Sequence, residues 1–438
     1  MNRRKIPPDP PEIRGIETRK ELLAVADLYG KAFTGYESHY RNYVDLLTHR
    51  VPREQWRLSR TMWLPDGTPI AHVRIADRTM RLGSVMLRVA GIGDVCTHPF
   101  HRKAGLMRRL FAHLVEFMRE ERYDLSMLWG IAKFYDKFGF IVGLTQDWFQ
   151  VSREQVARLK APYRGRRARR TDAQAVLELF RDDLGTRTGA MERWGDVWLT
   201  RALREKCCRI IEDGQGRPRA YYRGGPRDDA FVLSEVSLGP RPDEAAIVSV
   251  IADLVKVAEA CEKPRLRFEL PIDHPLGEFC FADGCETHRT GWHRGGGMVR
   301  IANLDALCRH MAPEWERLLS HRLPACEGKP SDTGKMPVPP GWTGRLRLET
   351  DPSASLRAGM GTMDLAIARG TVRPEPPVGR AAAVLAADQG RLCRLILGYH
   401  TPAAAALLGH IRLTRAAEPI AAALFPRRDL AVFPADRF

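Results

Sequence analysis

The stretch Gly93–Phe140, GDVCTHPFHRKAGLMRRLFAHLVEFMREERYDLSMLWGIAKFYDKFGF, decides the fold. The residues before and at its start alternate in polarity toward Thr97, which predicts a largely buried strand that ends there. A turn and an amphipathic helix follow, and then a short apolar strand from Leu125 to Trp129. The residues on the apolar face of the helix are Leu106, Met107, Leu110, Phe111, Leu114, Val115 and Met118. The order strand, turn, helix, strand predicts a domain that mixes helices with a sheet.

The turn His101–Leu106 carries Arg and Lys side chains and a glycine, Gly105, directly before the helix. The first backbone N–H groups of a helix have no partner within it, and the helix dipole favours a negative charge there. These N–H groups and the basic side chains together predict a pyrophosphate site. Gly105 has no side chain, so the ligand can approach the backbone closely. An ordinary basic helix start is the alternative reading. The residues predicted to hold the ligand in this turn are Arg102, Lys103, Ala104, Gly105 and Leu106.

Three motifs carry a resemblance to a known family: residues 95–99 (VCTHP), the Arg-x-x-Gly-x turn at 102–106, and Tyr-x-x-Phe-Gly-Phe at 135–140. They resemble the GNAT superfamily of N-acetyltransferases, and within it the enhanced intracellular survival type. Met107 stands where the superfamily usually has Gly or Ala, and that type commonly carries an aliphatic residue there. The resemblance implies a mixed α+β fold of tandem GNAT-like domains, acetyl-CoA as co-substrate, an amine acceptor and a homo-oligomer.

The resemblance also implies roles for individual residues. The backbone N–H groups of the strand end, Val95, Cys96 and Thr97, would bind the pantetheine arm and polarise the thioester carbonyl. Tyr135 would protonate the departing thiolate, and the terminal carboxylate of Phe438 would be the base. The plainer alternatives are a Tyr135 packed among its aromatic neighbours and a disordered tail. The predicted function is an N-acetyltransferase acting on primary amines of small molecules or lysine side chains; the alternative is a non-catalytic ligand-binding protein with a relic cofactor site.

Beyond the motifs, the chain divides into three predicted domains, 11–151, 165–312 and 313–438. In the first, helices are predicted at 21–33 and 39–49 and strands near 56–64 and 70–82, and Phe33, Tyr36 and Trp63 are candidates for the acceptor pocket. The second repeats the order, yet Gly239-Pro240-Arg241-Pro242-Asp243 replaces the basic turn, and each proline removes a backbone donor. The third resembles a sterol-carrier-like domain, with a Pro/Gly-rich insertion at 324–344 and a helical run at 381–387.

The composition of the chain bears on whether it binds nucleic acid, a membrane or a metal. The chain has 438 residues and a formal net charge of +16, but its basic residues are scattered, and the dense cluster at 164–170 is interpreted as a solvated linker, so nucleic-acid binding is not predicted. No apolar run is long enough for a membrane span, which predicts a cytoplasmic protein. Nine cysteines, an odd number, favour reduced thiols. The spacing of Cys280, Cys285, His288 and His293 matches no compact zinc motif, so packing is favoured over a metal.

Overall fold

Helices and strands alternate along the computed structural model, which describes residues 11–193, 208–282, 284–291, 295–321, 342–350, 361–433 and 436–437. The strands are β1 Glu12–Arg14, β2 Arg60–Trp63, β3 Pro69–Leu82, β4 Val85–Thr97, β5 Leu125–Gly130, β6 Ile141–Val142, β7 Thr145–Ser152, β8 Arg164–Arg167, β9 Cys208–Glu212, β10 Pro218–Arg227, β11 Ala230–Ser237, β12 Arg265–Phe268, β13 Glu286–Gly291, β14 Gly296–Ile301, β15 Gly344–Thr350, β16 Thr362–Ala368, β17 Thr371–Glu375, β18 Ala383–Ala387 and β19 Ile411–Leu413. The α-helices are α1 Arg19–Ala32, α2 Tyr36–His49, α3 Leu106–Glu120, α4 Arg153–Val156, α5 Ala173–Asp182, α6 Glu244–Ala260, α7 Pro275–Ala282, α8 Leu304–His321, α9 Gln389–Ile396, α10 Pro402–Leu407 and α11 Glu418–Leu424. The predicted mixed α+β class is confirmed.

The first sheet has seven strands in the order β1-β2-β3-β4-β5-β14-β6. Its pairs are antiparallel except β4 and β5, which are parallel and joined by the crossover helix α3. Helix α3 buries six apolar side chains spaced for one face: Leu106, Leu110, Phe111, Leu114, Val115 and Met118. The predicted strand, helix and second strand of this region are therefore confirmed.

The second sheet, also of seven strands, has the order β13-β7-β12-β11-β10-β9-β8. Again one pair is parallel, β11 with β12, and the crossover between them is α6. Read from β1 and from β8, the two sheets therefore share one sequence of strand directions. Strand β7 follows β6 in the chain yet belongs to the second sheet, whereas β14 follows β13 and belongs to the first.

By their contacts, the residues form two compact units, one of 1–144, 293–428 and 438, and one of 145–292 and 429–437. The first unit contains both the first sheet and a third one of five strands, β17-β16-β15-β18-β19. The three-domain division remains a prediction, as does the sterol-carrier-like character of the third sheet. Within the described residues, none of the helices combines the length and the apolar character that crossing a bilayer requires.

Three local predictions are wrong. Residues 381–387 contain a strand, β18, because Ala383, Leu385 and Ala387 are buried alternately and pair with β15, which overrides the helix propensity of alanine. The basic cluster at 164–170 begins with strand β8, where Arg166 forms ion pairs with Asp172 and Glu212. The strand predicted from residue 56 begins at Arg60, after a 3-10 helix at Arg53–Leu58.

Candidate active site

Strands β4 and β5 separate at one end of the first sheet. Their parallel pairing runs from Val89–Leu125 to Ile92–Leu128, whereas β4 itself continues to Thr97. On its other edge β4 stays paired with β3 as far as Thr97, which lies opposite Ala71. The last residues of β4 therefore have one paired edge and one edge from which β5 has departed.

A bulge in β4 lies at the start of this gap. The register with β3 shifts between His72 and Arg74, so that Asp94 and Val95 lie opposite the single residue Val73. Asp94 has a φ of 51°, and its carboxylate accepts a hydrogen bond from the buried side chain of Arg74. Such a bulge re-aims the backbone that follows it.

The backbone N–H of Thr97 points into the gap. The next residue, His98, donates its N–H to Ile70 O on β3 at 2.9 Å. Successive N–H groups of a strand point to opposite sides, so the N–H of Thr97 points toward the side that β5 has left. This donor could polarise a carbonyl placed in the gap.

The turn before α3 leaves the helix N-terminus open. Gly105 is the N-cap residue, has a φ of 77° and makes no side-chain capping hydrogen bond, and the first helical turn has no acidic residue. Arg108 and Arg109 donate their N–H groups to Gly105 O, so the N–H groups of Leu106 and Met107 precede the first helical hydrogen bond. A Cβ added at Gly105 would meet no atom within 4 Å. Space, free donors and a positive dipole end therefore coincide here.

Tyr135 begins the tyrosine turn, defined here as residues 135–140. Its ring is half-buried and contacts Phe134 and Phe111, with ring centroids 4.8 and 5.9 Å away. Burial raises the pKa of Tyr135 to about 12, which keeps its hydroxyl protonated at neutral pH. Tyr135 thus packs among aromatic neighbours, as the alternative interpretation expected, and it also lines a cavity.

One cavity of about 550 Å³ brings most of the predicted residues together. Its lining includes Val95, Cys96, Thr97, Arg102, Lys103, Gly105, Leu106 and Tyr135. Ala104 is exposed in the same turn but is outside this lining. Of the acceptor-pocket candidates, Phe33 lines the cavity, Tyr36 is exposed at the start of α2, and Trp63 is buried in the core against α1 and α2. Phe438 lies outside the described residues.

Two titratable groups of this region, His72 and Cys96, are unsuited to proton transfer at neutral pH. His72 is buried between Tyr43 Oη (2.9 Å) and Thr61 Oγ1 (2.7 Å), and burial lowers its pKa to about 3. Burial also raises the pKa of the Cys96 thiol.

In the second unit, within residues 208–282 and 284–291, no three His, Cys, Asp or Glu side chains converge as a metal site would need. His288, one of the zinc candidates, stacks on Trp148 with ring centroids 3.8 Å apart. The fourth candidate, His293, lies outside the described residues.

Sequence reasoning did not single out Asp94 or Ile131, and it considered Phe134 only as a packing neighbour of Tyr135, although the first forms the bulge and the other two line the cavity. The signal for Asp94 was an acidic residue between Gly93 and Val95 inside an otherwise apolar run. It also missed Arg300 and Gln389, which hydrogen-bond the tyrosine turn and which no local pattern marks.

The chain was compared with protein-family models, curated proteins and solved structures. Residues 12–143 match the family model of the acetyltransferase (GNAT) domain. No curated protein matches the chain.

Several solved structures match nearly all of it. A GCN5-related N-acetyltransferase from Kribbella flavida has a TM-score of 0.67 and 18% identity over 95% of this chain and 96% of its own. One from Anabaena variabilis has a TM-score of 0.70 and 14% identity over 95% and 98%. Eis1 from Mycobacterium abscessus has a TM-score of 0.62 and 13% identity over 95% and 97%. At these identities the likeness to solved structures shows the fold alone.

Proposed function

We propose that this protein is an N-acetyltransferase that moves the acetyl group of acetyl-CoA to a primary amine of a small molecule or a lysine side chain. The observation that carries the proposal is that the open N-terminus of α3 and Tyr135 line the same cavity. Acyl transfer of this kind needs an anion site for the cofactor and a proton donor near the thioester, and both lie along one gap between strands.

The cofactor would be held by its pyrophosphate and by its pantetheine arm. The N–H groups at the start of α3 and the side chains of Arg102 and Lys103 would bind the pyrophosphate. The pantetheine amides would pair with the edge of β4 that β5 leaves open, in the manner of an added strand.

In the reaction, the amine nitrogen attacks the thioester carbon while the N–H of Thr97 stabilises the developing oxyanion. The C–S bond then breaks, and the coenzyme A thiolate takes the proton of the Tyr135 hydroxyl. The acetylated nitrogen loses its own proton to a base, and the tyrosinate regains one from solvent. That the base is the terminal carboxylate of Phe438 stays a prediction.

The experiment is thiol release from acetyl-CoA over a panel of aminoglycosides, polyamines and lysine peptides, with Tyr135→Phe as the matched variant. We expect amine-dependent release that falls about 100-fold in Tyr135→Phe, because a positioned general acid contributes about 10²–10⁴ in rate. Release with longer acyl-CoA donors, measured in parallel, tests the preference for acetyl. Binding of acetyl-CoA without release over the whole panel would instead favour a ligand-binding protein.

A further inference from the structure

We propose that Gln389, at the start of α9 beside the third sheet, is a positioning residue for Tyr135. This inference rests on the proposed function, because it assigns Gln389 to the same proton transfer. Gln389 is 2% exposed and lies in the same compact unit as the tyrosine turn. It does not line the cavity, so its effect on the reaction is indirect.

The amide of Gln389 makes two hydrogen bonds, one as a donor and one as an acceptor. Its Nε2 donates to Gly139 O in the tyrosine turn, and its Oε1 accepts from the N–H of Ile301 on β14 at 3.0 Å. Strand β14 pairs directly with β5, the strand that leads into the turn. A primary amide carries both a donor and an acceptor, whereas a carboxylate only accepts and a thioether does neither well. Gln389 therefore ties the turn to the sheet in a way that its near-isosteres cannot reproduce.

Neighbouring side chains hold the same backbone. Arg300, fully buried on β14, donates to Phe138 O at 2.7 Å, so two successive carbonyls of the turn receive side-chain donors. Arg394, also on α9, donates to Val142 O on β6. A Cβ added at Gly390 would stand 2.8 Å from Ile141 Cγ2, which shows how closely the helix approaches the strand after the turn.

Three backbone hydrogen bonds lie within the turn, one of them from Gly139 N to Asp136 O at 3.0 Å. Phe138 N and Phe140 N both donate to Tyr135 O, at 2.9 and 3.3 Å, and Gly139 has a φ of 80°. The ring of Tyr135 is fixed by packing alone, against Phe111, Phe134 and the backbone of Gly130. Because Tyr135 O accepts from Phe138 N and Phe140 N, a shift of the carbonyls of Phe138 and Gly139 would move the backbone that carries the Tyr135 ring and its hydroxyl. A displacement of about 1 Å at a reacting group can cost about 100-fold in rate.

The test compares Gln389→Glu and Gln389→Met with Arg391→Ala, a control on the same helix whose side chain is half-exposed and pairs with Asp388 at 3.1 Å. Glu keeps an acceptor for Ile301 N but turns an oxygen toward Gly139 O, and Met keeps the length without the polar atoms. We expect kcat to fall about 10- to 100-fold in both Gln389 variants, with KM for acetyl-CoA unchanged, and no change in the control. Acetyl-CoA binding shows that a variant is folded, and either Gln389 variant that binds it normally decides the test.

A double variant separates positioning from general damage. In a Tyr135→Phe background, Gln389→Glu should lower kcat no further, because the group that it positions is gone. An additional full loss in that background, or an unchanged kcat in the single Gln389 variants, would overturn the inference while leaving the acetyltransferase proposal intact. A fully active Tyr135→Phe protein would instead remove the acid role of Tyr135 and the inference with it.

Discussion

Helices α3 and α6 hold equivalent places in two sheets of the same strand order, and their first turns differ in what the chain itself supplies. Before α3 stands Gly105, without a capping side chain. Before α6 stands Asp243, whose carboxylate accepts from Ala246 N at 2.6 Å and also from Arg219 at 2.9 Å and Tyr163 at 3.2 Å. The second helix therefore carries its own anion, whereas the first has neither a capping side chain nor an acidic residue in its first turn.

The same topology therefore leaves the first N–H groups of the two helices in different states. Each of the two helices connects a pair of parallel strands, and each has a dipole with its positive end at the first turn. What differs is whether the first donors are already satisfied and whether Pro240 and Pro242 have removed others from the approach. Substitutions at the two turns therefore test whether this difference decides where acetyl-CoA binds.

The largest effect is expected from giving α3 the acidic cap of α6. In Gly105→Asp the carboxylate would stand where the pyrophosphate is proposed to bind, and two unit charges about 4 Å apart repel by about 4 kcal/mol at an effective dielectric constant of about 20. We expect acetyl-CoA affinity, measured by calorimetry, to fall at least about 100-fold. Gly105→Asn is the matched control, since Asn tolerates the left-handed backbone equally well and has no charge. Equal losses in both variants would show that strain, not charge, is responsible.

A smaller effect is expected from Arg102→Ala. Arg102 donates to Ala32 O at 2.5 Å at the end of α1 and lines the cavity beside the open helix end. Hydrogen bonds to charged groups contribute about 1.5–3 kcal/mol, and exposure puts Arg102 at the low end, so we expect about 10-fold weaker acetyl-CoA binding with a shallower salt dependence. Arg219→Ala, on β10 with its side chain bound to the Asp243 cap of α6, should leave this affinity unchanged. A loss in Arg219→Ala would contradict the assignment of the site to α3.

Removing the cap of α6 should not create a second site. In Asp243→Ala the free energy of unfolding should fall by about 1 kcal/mol, the usual cost of a lost N-cap, as measured by urea denaturation. Because Pro240 and Pro242 provide no N–H groups, the stoichiometry of acetyl-CoA should stay at one per chain. A second bound acetyl-CoA would break the comparison, since it would mean that the carboxylate alone closes that turn.

The smallest effect concerns acid. Burial opposes the ionisation of Asp243, but hydrogen bonds from Ala246 N–H, Arg219 and Tyr163 outweigh it and lower its pKa below the ordinary 3.8. A lowered folded pKa stabilises the protein above 3.8, and this contribution is lost as the pH falls below that value. The stability difference between wild type and Asp243→Asn, which cannot titrate there, should therefore shrink from about pH 5 to about pH 2. A difference that stays constant would assign the cap to hydrogen bonding alone.

The part of the fold that sequence reasoning predicted is the part that local pattern determines. β4, α3 and β5 were predicted nearly to the residue because alternation, an amphipathic stripe and a glycine all point the same way. The helix predicted at 381–387 is wrong because the conformation of an alanine-rich segment depends on the element it packs against, which here is β15. The exchange of β7 and β14 between the sheets depends on pairing across long stretches of chain, which no local pattern records.

The candidate site divides in the same way. The residues of the pyrophosphate turn and Tyr135 stand in contiguous motifs, and the structure brings them to one cavity. Gln389 and Arg300 lie more than a hundred residues away, and a buried Gln or Arg looks in sequence like any polar residue of an amphipathic element. Their contribution follows from which carbonyls they meet, and only coordinates supply that.

The place of β14 has a consequence for synthesis. Because β14 lies between β5 and β6, all seven strands of the first sheet can pair only after residue 301 has left the ribosome. At about 5–20 residues per second the intervening residues 143–295 take on the order of 10 s to make, and during that time β5 keeps an open edge. Such an edge is a template for pairing with another nascent chain. Fragments that stop before β14 are therefore expected to need chaperones or to aggregate, however complete their motifs are.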